Sequence, residues 1–130
     1  MQDQPTMAEL VGAVEDFMRN VAMKRLEGHA QFHARVSANA LAIVKRELEL
    51  GPDQAVTELA SLRDLLGEDG ELESLNRELC RRIRDGELLL SDDRLIAHLW
   101  QTTIDKVAVD QPRYSGYRRA TDAGNSPPSA

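Results

Sequence analysis

Residues 31–48 contain neither proline nor glycine, and their apolar side chains recur at helical rather than strand spacing. With Phe32 at zero on a wheel advancing about 100° per residue, Phe32, Ile43, Val36, Ala40, Val44, Leu48 and Leu41 fill one half of the circumference in that order. A helix apolar over half its girth is unstable alone in water and must be covered by other elements. His29, His33, Ser37 and Glu47 fall inside the same arc. A polar group buried there needs a partner, so these four are expected to be buried polar residues at a helix interface. Arg35, Asn39 and Arg46 line one edge, with small Ala42 between them.

The flanking segments read the same way. Thr6 followed by Glu9 is a capping box, and Leu10, Val11, Val14, Phe17, Met18 and Val21 then form a stripe. This predicts a first helix over 6–24 and a second from Gly28 to about Leu50. Gly51 suits a left-handed C-terminal cap, and Pro52 cannot donate a backbone hydrogen bond, so the second helix is expected to stop there. A third helix is predicted over 53–66 with Val56, Leu59, Leu62 and Leu66 inward. A fourth is predicted over 71–85 with Leu72, Leu75, Leu79 and Ile83 inward. The run Leu88–Leu90 is expected to pack as a connector. Ser91 is the expected cap of a fifth helix whose stripe is Leu95, Ile96, Leu99, Trp100, Thr103, Ile104 and Val107. His98 then falls on the predicted wet face with Arg94, Gln101 and Asp105.

With no strand pattern and no internal repeat, the fold class is all-α: an antiparallel bundle of about five helices with a disordered C-terminal tail. The expected organisation is a flexible N-terminus over 1–5, one helical domain over 6–114 and a disordered tail over 115–130. One domain suits a chain of 130 residues.

Charge and composition exclude several function classes. Net charge is −6, which argues against a broad basic surface for nucleic acid and against charge-driven binding to an anionic membrane. No apolar run approaches the ~20 residues that span a bilayer, and the first five residues lack the features of a signal peptide. Cys80 is the only cysteine, so no internal disulfide forms. A reducing, cytoplasmic location is expected. Cys80 has no base assigned near it and is expected to be a buried, inert thiol.

Candidate chemistry is sparse. His29 and His33 have the spacing of a two-imidazole metal site, but a closed site needs further ligands. Glu47 is about 21 Å further along the helix. No metal site and no cofactor are expected. Phosphate-binding loops, nucleophile elbows and zinc-protease helices are absent from the sequence, and no catalytic residue is assigned. The row Arg35, Asn39, Arg46 suits an anion or an acidic partner loop; its structural alternative is pairing with the carboxylates of neighbouring helices. Arg113 and Tyr114 close the folded part and are further candidate contacts. Tyr114 is expected either to be solvated or to fold back onto the bundle.

Three segments together carry a resemblance: Pro5–Leu10, Phe32–Leu48 and Lys106–Tyr114. They resemble a family of small bacterial all-helical proteins labelled only as a domain of unknown function, over residues 5–114. The resemblance implies company with a kinase of the aminoglycoside-phosphotransferase type and an acyl-CoA dehydrogenase. It also implies the role of a small accessory subunit for that kinase, acting on 4-hydroxyacyl-CoA in levulinate-type breakdown of short-chain hydroxy acids. The alternative is a stand-alone helical binding module or a homo-oligomer with its own ligand.

Overall fold

The computed structural model describes residues 4–122 and residue 124. Helices α1 (Met7–Phe17), α2 (Met23–Arg25), α3 (Gly28–Leu66), α4 (Leu72–Arg84), α5 (Asp93–Asp110) and α6 (Ser115–Asp122) account for most of them, with a π-helical turn at Met18–Ala22 between α1 and α2. No β-strand occurs among the described residues, and the all-α class holds. No helix among them is long and apolar enough to cross a membrane.

Two compact units divide at Pro52–Asp53. The first is a helical hairpin. Thr6 starts it with the expected capping box: its hydroxyl accepts from the Glu9 amide, and its own amide donates to the Glu9 carboxylate. Residue pairings then run in opposite senses along the two arms. Gly12 lies beside Lys45, Arg19 donates to the Ala38 carbonyl and the Asn39 side chain, and Gln31 donates to the Met23 carbonyl. This is an antiparallel register. Gly28, at a left-handed φ of 56°, begins the return arm.

The face of α3 that meets α1 is not the one its hydrophobic arc suggests. Ala34 and Ala38 are the buried residues here. Small side chains let the two backbones approach closely, while the Phe32–Leu48 arc is left exposed. No α1 residue is buried either; Leu10, Val14 and Phe17 of the predicted stripe are exposed.

The second unit holds the core proper. Leu62, Leu65, Leu66, Leu75, Leu79 and Leu95 form one buried cluster, with Leu59, Leu72, Ile83, Leu88 and Leu99 packed against it. Gln54 donates to the Asp105 carbonyl and Ser61 is bonded to His98. Both pairs step seven residues in opposite directions, so α5 runs antiparallel to this half of α3. Asn76 of α4 donates to Glu58, and Arg82 donates to the Leu66 carbonyl. The C-terminus of α4 closes in a Schellman motif. Gly86 sits at φ 75°, its amide bonds the Ile83 carbonyl, and the Glu87 amide bonds the Arg82 carbonyl.

Several sequence expectations are corrected. The helix expected to stop at Leu50 runs through Gly51 and Pro52 to Leu66. Gly51 is absent from the left-handed positions among the described residues, so it is not a cap. Proline forfeits one backbone bond and crowds the carbonyl four residues earlier, and helix on both sides tolerates that local loss. Val56, Leu89 and Leu90 are exposed rather than packed, while Leu65 is core. The cap of α5 is Asp92, which accepts from the Arg94 amide, not Ser91. The expected disordered tail begins with a helix, α6. Its first turn is sealed by the Arg118 amide bonding the Tyr114 carbonyl. Residues 123 and 125–130 of that expected tail lie outside the described residues, as do residues 1–3 of the expected flexible N-terminus.

Candidate functional site

The hairpin carries an exposed apolar surface. Along α1, Leu10, Val14 and Phe17 form an exposed apolar stripe. Beside its lower end lies a groove of about 500 Å³, lined by Phe17, Met18, Val21 and Leu26 on one side and His33, Ala34 and Ser37 on the other. Arg25 supplies its cationic lining. Met18, Val21 and Ala22 belong to the π-helical turn, so part of the groove wall comes from an irregular stretch of this arm. Such turns are rare and occur often at functional sites.

The four polar residues expected to be buried are not. His29, His33 and Glu47 are exposed and Ser37 is half-buried. The reason is the turn of α3 about its axis: its alanine face, not its large apolar arc, meets α1. His29 and His33 stack at 6.2 Å between ring centroids, and Phe32 meets His33 edge-on at 5.7 Å. The Glu47 carboxylate rests against Gly51. Among the described residues, no group of three metal-ligating side chains exists.

Of the candidate contact row, Asn39 accepts from Arg19, which is itself ion-paired to Glu15 at 2.7 Å. Arg35 is exposed and Arg46 half-buried. Arg113 is exposed. Tyr114 is exposed too, and its ring lies over Gly116, where an added methyl group would meet it at 2.5 Å. Its ring therefore lies against the start of α6, whereas the fold-back expected was onto the bundle.

A second, smaller cavity of about 370 Å³ lies in the other unit, lined by Thr57, Ser61, Asp64, Leu65, Arg94, Ala97, His98 and Gln101. His98 is only 4% exposed, where the sequence placed it on the wet face. The seven-residue step that sets Asp105 opposite Gln54 also sets His98 against Ser61. The Ser61 hydroxyl lies 2.9 Å from its Nδ1. Burial pushes the imidazole below its ordinary range, and the nearby Glu58 carboxylate opposes that shift only in part. A neutral ring with one nitrogen satisfied by a hydroxyl stabilises the α3–α5 contact; among the described residues no third group orients it as a base for attack by Ser61. Cys80, expected to be buried, is exposed.

The α4 terminus is a charge lock rather than a site. Glu78 accepts from both Arg81 and Arg82, which holds its carboxyl down to about 2. Arg81 also reaches Asp85 and Glu87, and Arg82 reaches Glu68.

No curated protein and no solved structure matches the chain. One family profile does, over residues 24–114, a span that takes in all of α3, α4 and α5. The chain belongs to the DUF6285 family, a domain of unknown function.

Proposed function

We propose that the chain is a non-catalytic accessory subunit that works by protein–protein contact. The observation that supports this reading is the α1 face of the hairpin: Leu10, Val14 and Phe17 in line, running into an apolar groove with Arg25 at its side. Apolar surface of this kind costs free energy in water and is regained on docking. An aromatic anchor with an arginine beside it is the composition of a binding hot spot.

The partner class we propose is a kinase of the aminoglycoside-phosphotransferase type acting on 4-hydroxyacyl-CoA, and the resemblance of Pro5–Leu10, Phe32–Leu48 and Lys106–Tyr114 is what supports it. The subunit would shape or complete the kinase site and supply no reacting group. Arg35, Asn39 and Arg46 are the polar contacts proposed to accompany the α1 stripe; Arg113 and Tyr114, in the other unit, are proposed as separate contacts.

The test is a coupled ATP-turnover assay of such a kinase with a 4-hydroxyacyl-CoA, with and without this protein. Turnover is expected only in the mixture. Val14→Asp with Phe17→Asp is expected to lower it at least tenfold while the helical circular dichroism stays unchanged, because both side chains are exposed. Full turnover by the kinase alone would remove the accessory reading.

A further inference from the structure

The exposed arc of α3 has an internal symmetry that its spacing makes plain. Taking about 100° per residue, Ala40 sits at the middle of the arc. Val36 and Val44 lie four residues and about 40° to either side of it, and Phe32 and Leu48 lie eight residues and about 80° to either side. Glu47 and His33 are seven residues away on opposite sides, about 20° off the centre line. The apolar members are well exposed: Phe32 57%, Val36 47%, Val44 47% and Leu48 37%. Ala40 is exposed as well. The pattern therefore reads nearly the same in both directions from a small central residue.

A two-fold axis through Ala40 turns such a pattern onto itself. Position 36 of one copy then lies opposite 44 of the other and the Glu47 carboxylate opposite the His33 ring, with Phe32 and Leu48 flanking the contact. An isologous contact requires this self-complementarity. Near-antiparallel axes about 8–10 Å apart bring these pairs together. Closest approach falls at Ala40, where the side chain is a methyl group.

Charge favours a like partner over a strongly charged one. Residues 4–52 carry six acidic and six basic side chains, so two hairpins meet without net repulsion, whereas the chain as a whole is at −6. Area is sufficient for an equilibrium dimer. The exposed parts of Phe32, Val36, Ile43, Val44 and Leu48 amount to roughly 400 Å² per copy. With the flanking polar side chains the pair approaches the roughly 1,200 Å² at the low end of specific interfaces.

We propose that the α3 arc centred on Ala40 is a two-fold interface between two copies of this chain, with Glu47 of each copy facing His33 of the other. This goes beyond the accessory reading, which rests on the α1 stripe, and leaves that stripe to the kinase.

The test is sedimentation equilibrium of the full chain alone, from about 5 to about 200 µM, which brackets a micromolar Kd. The expected mass rises from 14.5 kDa toward twice that value. Ala40→Glu sets like charges against each other on the axis and is expected to hold the mass at that of one chain with unchanged circular dichroism. Ala40→Cys, in a Cys80→Ser background, is expected to give an intermolecular disulfide on mild oxidation, since only an on-axis position meets its own copy. Glu47→Lys is expected to weaken association at least fivefold, and His33→Glu added to it to restore the original affinity. A wild-type chain that stays at one-chain mass throughout, or a dimer indifferent to Ala40→Glu, overturns the proposal. Kinase activation by the Ala40→Glu chain is read separately. If it persists while dimerisation is lost, the two interfaces are distinct as proposed. If the wild-type chain dimerises but activates no kinase, the accessory reading falls and the dimer stands.

Discussion

Replacing Pro52 with alanine is expected to stabilise the chain, because α3 is continuous through it. Proline inside a helix costs about 3 kcal/mol relative to alanine, from the missing amide and the clash with the carbonyl four residues back. The carbonyl concerned is that of Leu48. Removing proline also frees the unfolded chain, which returns about 0.4–1 kcal/mol to the unfolded side. The net expectation is a gain of about 2 kcal/mol, or about 7 °C in Tm for a chain of this length. Gly51→Ala tests the same geometry independently. A methyl group there meets Glu47 Oε1 at 2.9 Å, but that oxygen ends a flexible, exposed side chain that can swing aside. The gain expected from replacing a helical glycine is about 0.5–1 kcal/mol. Urea unfolding followed by circular dichroism measures both. If the helix ended at Leu50 with Gly51 as its left-handed cap, each substitution would lower stability instead. A loss in both variants would therefore refute the continuous helix. The two changes are neighbours, so their sum is not expected to be additive.

Leu62 has no exposed surface and sits at the centre of the core cluster; Leu62→Ala is expected to cost about 3–5 kcal/mol in chemical unfolding. Thr6→Ala removes the hydroxyl half of the capping box and is expected to cost about 1 kcal/mol, visible as loss of helical signal at low denaturant. The folded-state pKa of His98 is lowered, so its contribution to stability is intact above the unfolded value near 6.5. It is lost as pH falls below that value, because the unfolded chain takes up the proton first. The slope is at most about 1.4 kcal/mol per pH unit. His98→Gln is expected to flatten Tm between about pH 7 and pH 5, where wild type declines. The Glu78 carboxyl, held at about 2, acts in a separate window: its stabilisation is present above its ordinary range and fades as pH falls toward that value. Glu78→Gln should leave the neutral-side slope untouched and alter only the acid limb of the same titration.

Helix existence was legible because it depends on local rules. The Thr6–Glu9 box, the stripe Leu72–Leu75–Leu79–Ile83 and the long run 31–48 each specify a helix by spacing alone. Boundaries were less legible because competing local signals carry similar weight. Gly51 and Pro52 are strong stop signals, yet α3 runs on through both at a local cost of about 3 kcal/mol. Asp92 displaced Ser91 as a cap because either side chain can serve, and the choice rests on where α5 packs. Helix α6 was hidden by its glycine and serine, and becomes visible only with Tyr114 lying over Gly116.

The candidate site was half legible for a different reason. Periodicity says that α3 has an apolar arc needing cover, but it does not say which neighbour supplies the cover. The natural assumption, that the large apolar arc faces the first helix, placed His29, His33 and Glu47 inside a core they do not enter. The opposite choice leaves a trace in the sequence after all. Ala34, Ala38 and Ala42 repeat every four residues on the far side of the wheel, and such a small-residue row lets two helices pack closely. A helix with alanines on one side and Phe32, Val36, Ile43, Val44 and Leu48 on another has two contact faces. Only the first is used within the hairpin. The same reasoning explains His98. Its position follows from the seven-residue step that aligns Gln54 with Asp105 and Ser61 with His98, a relation between two helices that no single-helix wheel contains. What a wheel cannot assign is the identity of the neighbour. For the second face of α3, its symmetry about Ala40 points to another copy of the same helix.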